Sequence, residues 1–178
     1  MHNSCDILWY GRGGQGAFSA AKLLGAAYAH RGEGCFALAF PSFGPERRGA
    51  PVHAYTKLSS RPIHDRSAVL RPDYIVCLDE TLAADLDADM LRAGGAFLCV
   101  NARIEELAAS VLGAPIVNTA LLALLCVHTG MLDEADIAYG IRETMPARIH
   151  DKNCRLVHDV FEHGATLLQD ALVVGDDA

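Results

Sequence analysis

Cys5 to Trp9 is a short apolar run that stops at a cluster of glycines, the pattern of a buried first strand. Beyond Gly16, apolar and small residues recur at helical spacing (Ala20, Leu23, Leu24, Ala27, Tyr28) up to a stop near Gly32. A second strand is predicted at about Cys35 to Phe40. Strand, glycine loop, helix and strand in that order open an α/β sheet.

The rhythm then breaks. Pro41 to Pro51 holds three prolines and two glycines, too many for a helix or a central strand, and is predicted to be a loop. A loop of that length inside a compact domain is usually functional or disordered. Val52 to Leu58 alternates as a strand, with Pro62 and Ile63 suggesting a hairpin or an extra edge element. From Asp73 the pattern predicts a strand at Tyr74–Leu78, a helix at Thr81–Leu91, a turn at Gly94-Gly95 and a strand at Ala96–Val100. A helix at Ile104–Leu112 and a short strand at Ile116-Val117 come next. Asn118 and Asp133 stand where they can cap helices running to about Thr129 and to just before Pro146, and a last helix is expected over Asp151–Leu168. Together these predict a three-layer α/β/α fold with a mostly parallel, mixed sheet and a Rossmann-like first strand–loop–helix unit. With no repeat and no dividing linker, residues 1–174 read as one domain and 175–178 as a flexible tail.

Composition narrows the function. The chain has 178 residues, 51% of them hydrophobic, enough for one core. No apolar run approaches the roughly 20 residues of a membrane span, and the N-terminus has no signal-peptide pattern, so a cytoplasmic location is expected. The six cysteines (Cys5, Cys35, Cys77, Cys99, Cys126, Cys154) contain no C-x-x-C pair, and the eight histidines no H-x-x-x-H pair. Clusters and structural metals need closely spaced ligands, so neither is expected on this chain. The formal charge of −7 is uneven: residues 1–72 carry nine basic and four acidic side chains, residues 73–178 six and eighteen. An acidic chain is a poor candidate for nucleic acid, whereas its basic first part suits an anionic ligand or an acidic partner.

Gly11-Arg12-Gly13-Gly14-Gln15-Gly16 fits G-x-G-x-x-G between strand and helix, where backbone amides can approach a phosphate. A nicotinamide site also needs an acid at the end of the second strand, and that strand ends at Phe40-Pro41-Ser42. The loop therefore either binds phosphate without NAD or is an unligated tight turn. Arg47 and Arg48 carry guanidinium groups suited to phosphate or carboxylate, and with Arg12 they are candidates to converge on one anion. Pairing of these arginines with Glu46 or with another subunit is the alternative. No serine–histidine or cysteine–histidine spacing signals nucleophilic catalysis.

The glycine motif with Ala20-Ala21-Lys22-Leu23-Leu24 resembles the opening of the gamma subunits of pyruvate:ferredoxin oxidoreductases and related 2-oxoacid oxidoreductases. Phe40-Pro41-Ser42-Phe43-Gly44-Pro45-Glu46-Arg47-Arg48-Gly49-Ala50-Pro51-Val52 resembles their second signature. Pro72-Asp73-Tyr74, Leu78-Asp79, Ile116-Val117-Asn118-Thr119-Ala120 and Lys152-Asn153 are further matches, and the similarity covers about residues 6–165. The resemblance implies oxidative decarboxylation of a 2-oxoacid with CoA, electrons passing to ferredoxin or a similar acceptor. It implies thiamine diphosphate with Mg2+, and iron–sulfur clusters, in alpha-, beta- and delta-type partner subunits, with no cofactor bound by this chain alone. The second signature looks more like the pyruvate and branched-chain or aryl oxoacid members. Joined to the basic first part, the resemblance makes Gly11 to Gly16, Ser42, Phe43, Gly44, Arg47 and Arg48 candidates for contact with CoA, with no catalytic residue and no metal ligand assigned here. A free-standing NAD- or FAD-binding domain and a purely structural assembly subunit are the rival readings.

Overall fold

Residues 4–42 and 51–174 are described by a computed structural model of the chain. The strands are β1 (Ser4–Arg12), β2 (Phe36–Ser42), β3 (Pro51–Ser59), β4 (Tyr74–Cys77), β5 (Ala96–Cys99) and β6 (Leu172–Val174). The helices are α1 (Ala17–Ala29), α2 (Ala102–Leu112), α3 (Asn118–Thr129), α4 (Glu134–Thr144) and α5 (His150–Ala171). One six-stranded sheet has the order β2-β3-β1-β4-β5-β6. β4 lies parallel to both β1 and β5, while β3 is antiparallel to β1 and β2, and β6 to β5. Four strands thus share one direction, giving the mixed α/β sheet that the sequence predicts.

All five helices contribute to one core cluster with Ile7, Trp9, Val76 and Leu98 from the sheet. At its centre is α3, whose residues Ala120 to Cys126 are all buried, so an all-round apolar helix finds its place inside the molecule. Trp9 is buried on this face and its indole N–H donates to Thr56 Oγ1 at 2.9 Å. Thr56 Oγ1 in turn donates to the Ala21 carbonyl at 3.0 Å, linking β1, β3 and α1 without leaving a buried donor unmet. At the start of β4, Arg92 bridges Asp73 at 3.1 Å and Asp6 at 3.4 Å, and Asp73 Oδ2 accepts from the Asp6 backbone N–H at 2.7 Å. The Pro72-Asp73-Tyr74 signature thereby ties the start of β4 to β1.

The other sheet face is covered by short pieces. The helix expected over Thr81–Leu91 is instead two 3-10 turns, Glu80–Asp85 and Ala88–Met90. Asp79 and Asp87 each cap a turn by accepting from the backbone N–H two residues on, at 3.0 Å in both cases. These local bonds compete with helix propagation, while Leu82, Leu86 and Leu91 still reach the sheet. The strand expected at Ile116-Val117 is also absent. Val117 has helical backbone angles at the N-cap of α3, and β6, which the sequence reading missed, fills the sheet position beside β5. Asn118 lies inside α3 and does not cap it. Asp133 does cap α4, accepting from Asp136 N at 2.8 Å. The helix from His150 runs three residues past its expected end, and the tail 175–178 lies outside the described residues.

Gly140 lets α4 approach α1 closely, since a Cβ there would lie 2.8 Å from the Leu23 carbonyl oxygen and 3.0 Å from Ala27 Cβ. Gly140→Ala is expected to destabilise the chain by about 1–3 kcal/mol through overpacking, despite the roughly 1 kcal/mol that alanine gains in an exposed helix. Chemical denaturation of the two proteins measures the difference.

Candidate functional site

The glycine motif forms the turn between β1 and α1. Gly14 and Gly16 have φ of 95° and 85°, values that favour glycine. Gly16 has a second reason to be glycine: a Cβ on it would stand 2.5 Å from Asn118 Nδ2. Asn118 donates to the Gly16 carbonyl oxygen at 3.4 Å, so the turn and the start of α3 are in direct contact.

Arg12 does not face outward to an anion. Its Nε donates to Asp79 Oδ2 at 3.1 Å, and its Nη2 donates to Thr81 Oγ1 at 2.7 Å. Gln15 closes the arrangement, accepting from Arg12 N at 2.6 Å and donating to Asp79 Oδ2 at 2.9 Å. Asp79 also accepts from the Thr81 hydroxyl. Hydrogen bonds from Thr81 and Gln15, and the Arg12 charge, hold the Asp79 carboxyl below the usual carboxylate range. The clamp joins the glycine turn to the carboxyl end of β4, the parallel neighbour of β1. Asp79 was visible in the sequence only as part of the Leu78-Asp79 match; it and Arg12 stand at the carboxyl ends of parallel neighbouring strands, 67 residues apart in the chain.

Ser42 ends β2, two strands from β1, because β3 is inserted between them. The end of β2 is thus about 10 Å across the sheet from the glycine turn, not beside it as in a dinucleotide fold. β3 instead brings Pro51 opposite Arg12. Phe43, Gly44, Arg47 and Arg48 lie outside the described residues, Arg48 and Arg47 standing three and four positions before Pro51 in the chain.

A cavity of about 240 Å³ adjoins the turn on the helical side. The first turns of three helices meet there, bringing Ser19 from α1, Asn118 from α3, and Lys152 and Asn153 from α5. Leu112, Ile116, Met145 and Ile149 supply apolar wall. Asn153 is buried and structural: it accepts from Thr119 Oγ1 at 2.8 Å and donates to the Ile149 carbonyl at 2.9 Å, clasping α3 to α5. Lys152 is exposed, with Nζ 3.4 Å from the Leu112 carbonyl oxygen. The cavity was not legible in the sequence, although the signatures Ile116 to Ala120 and Lys152-Asn153 supply four of its ten lining residues.

All six cysteines are free, and burial pushes the Cys5 thiol up to about 12 and that of Cys126 still higher, as for small core residues. Among the described residues no group of three or more His, Cys, Asp or Glu side chains is placed to hold a metal, and no helix is long and apolar enough to cross a membrane.

The arrangement is that of an α/β domain with an amide-rich glycine turn and a small amphipathic cavity, suited to contacting a ligand. The model of the pyruvate ferredoxin/flavodoxin oxidoreductase family matches residues 6–163, and the chain belongs to that family. It is similar to the pyruvate synthase subunit PorC of Methanothermobacter marburgensis, at 39% identity over 171 residues, 88% of this chain and 96% of the relative. The common gamma subunit of the pyruvate/ketoisovalerate oxidoreductases of Thermococcus kodakarensis is 33% identical over 177 residues, 88% and 95% of the two chains. The crystal structure of the pyruvate oxidoreductase subunit PorC of Thermotoga maritima superposes with a TM-score of 0.72 at 26% identity, covering 98% of this chain and 99% of that one.

Because the folded-state pKa of Asp79 lies below its unfolded value, its ionised form stabilises the clamp at neutral pH, and that contribution is lost as acid protonates it. Asp79→Asn is therefore expected to lower the thermal midpoint at pH 7. The gap to wild type should close as pH falls below about 4 through the depressed pKa. A gap that stays constant with pH would exclude the ionised clamp.

Proposed function

We propose that this chain is the gamma-type subunit of a multi-subunit 2-oxoacid:ferredoxin oxidoreductase, and that its glycine turn with the adjoining cavity forms part of the CoA site. The assembled enzyme would convert a 2-oxoacid and CoA into acyl-CoA and CO2, passing two electrons to ferredoxin or a similar acceptor. Thiamine diphosphate, Mg2+ and iron–sulfur clusters would reside in alpha-, beta- and delta-type subunits, and the complex in the cytoplasm. The names of the relatives, together with the second signature, favour pyruvate or a branched-chain or aryl 2-oxoacid as substrate. Residues 1–174 would act as one domain.

One observation carries the CoA reading: two separate family signatures meet where Asn118 touches Gly16, and Asn118 lines a cavity that Lys152 lines as well. Turn amides and the starts of three helices favour negative charge, and a lysine adds a full positive one. The apolar wall of Leu112, Ile116, Met145 and Ile149 suits an uncharged arm between phosphates and a thiol. Arg47 and Arg48 belong to the proposal by sequence position.

A purely structural role is the second reading, and the Arg12–Asp79 pair favours it, since that guanidinium is already neutralised. A free-standing nicotinamide domain is disfavoured by the inserted β3 and by the absence of a carboxylate in β2.

Loss of one charge-assisted bond to a phosphate is expected to raise the CoA KM by roughly tenfold or more. Lys152→Ala and Arg47→Ala in the assembled enzyme should each do so, with the 2-oxoacid KM nearly unchanged. Unaltered CoA constants in both variants would sink the CoA reading and leave the structural one.

A further inference from the structure

Between the end of β3 and the start of β4, residues 60–73 form neither helix nor strand. A connection this long in a compact domain is usually either functional or loose. This one is anchored. Lys57, largely buried on β3, holds Asp65 through Nζ at 2.7 Å from Oδ2 and 3.3 Å from the backbone oxygen. The Asp65 carboxylate also accepts from Ser67 N at 2.9 Å and Ser67 Oγ at 2.8 Å. Val69 packs on the sheet face that carries Tyr10, Tyr55 and Phe97.

These anchors consume the one acidic side chain between Ser60 and Pro72, and the remainder is presented outward. Arg61, Arg66 and Arg71 are exposed, and among the described residues none of them takes part in a salt bridge. Beside Arg71, Leu70 is 88% exposed, whereas among the described residues almost every other large apolar side chain is at least half buried. A leucine standing in water next to unpaired guanidinium groups, on a backbone fixed from beneath, has the composition of an interface anchor with a charged rim.

We propose that this segment docks an acidic face of another subunit of the same oxidoreductase, with Leu70 entering an apolar depression ringed by carboxylates. The inference rests on the reading of the chain as a subunit. Charge complementarity selects the occupant. Guanidinium forks pair bidentately with carboxylates, and arginine rather than lysine supplies every full positive charge from Ser60 to Pro72. A polyanionic nucleic acid or lipid surface would have to approach a chain of net charge −7 through three arginines alone.

The test uses the native complex, purified through a tag on this chain. Leu70→Asp and the double variant Arg66→Glu/Arg71→Glu change only exposed side chains, so the thermal midpoint of the chain should be unchanged. Recovery of partner subunits at about 0.1 M salt is expected to fall about tenfold or more. A photo-crosslinking residue at position 70 should join an acid-rich peptide of a different subunit, identified by mass spectrometry. Undiminished recovery of thiamine-binding partners in both variants overturns the docking surface while leaving the subunit reading intact. A cross-link to a second copy of this chain, to lipid or to nucleic acid also overturns it. A cross-link to the acidic face of a protein that is no oxidoreductase subunit overturns the proposal as stated, and the reading it rests on fails separately if no such subunit co-purifies.

Discussion

The position of Gly16 against Asn118 is the constraint on which the rest of the site depends. A Cβ at Gly16 would stand 2.5 Å from Asn118 Nδ2 and force that side chain aside, and the φ of 85° favours glycine as well. That contact sets the start of α1 against the start of α3. Since α3 is buried all round, its placement fixes the centre of the helical core. The Thr119–Asn153 bond one residue along then draws in the first turn of α5. The cavity exists because these three helix starts are held together, while Lys152, next to the structural Asn153, is left facing solvent.

A second constraint operates on the other side of the turn. Gln15, Arg12, Asp79 and Thr81 form a closed polar network that binds the glycine loop to the end of β4. In many open α/β sheets this crevice receives the ligand. Here side chains of the chain itself bridge it, and among the described residues a cavity lies on the helical side. The sequence has no closely spaced metal-ligand pattern and no cysteine–histidine spacing, and on the proposed reading the domain would supply shape and charge within the assembled enzyme. The same division of labour gives meaning to the anchored basic segment on the far sheet face, since such a subunit must be held in place by its neighbours.

Much of this was legible in the sequence because local chemistry decides it. The glycine turn, the strands flanking it, the Asp133 cap and the helices after it all follow from spacing and punctuation. What was not legible depends on competition between distant segments. Ile116-Val117 has strand-forming residues, yet β6 takes the place beside β5. Thr81–Leu91 has enough leucine for a helix, yet Asp79 and Asp87 turn their carboxylates onto nearby backbone amides. The antiparallel insertion of β3 between β1 and β2 carries no signal in either strand, and it alone moves Ser42 away from the glycine turn. Arg12 looked like an anion ligand for the same reason: its carboxylate partner is 67 residues away.

The most direct measurement is an anoxic, tagged purification of this protein from its native cells, with mass spectrometry of the co-purifying chains and an assay of CoA-dependent 2-oxoacid oxidation. Larger subunits carrying thiamine diphosphate and iron, with activity on pyruvate or a branched-chain or aryl oxoacid, are the predicted result. A protein that purifies alone, without those partners and without that activity, would contradict the account.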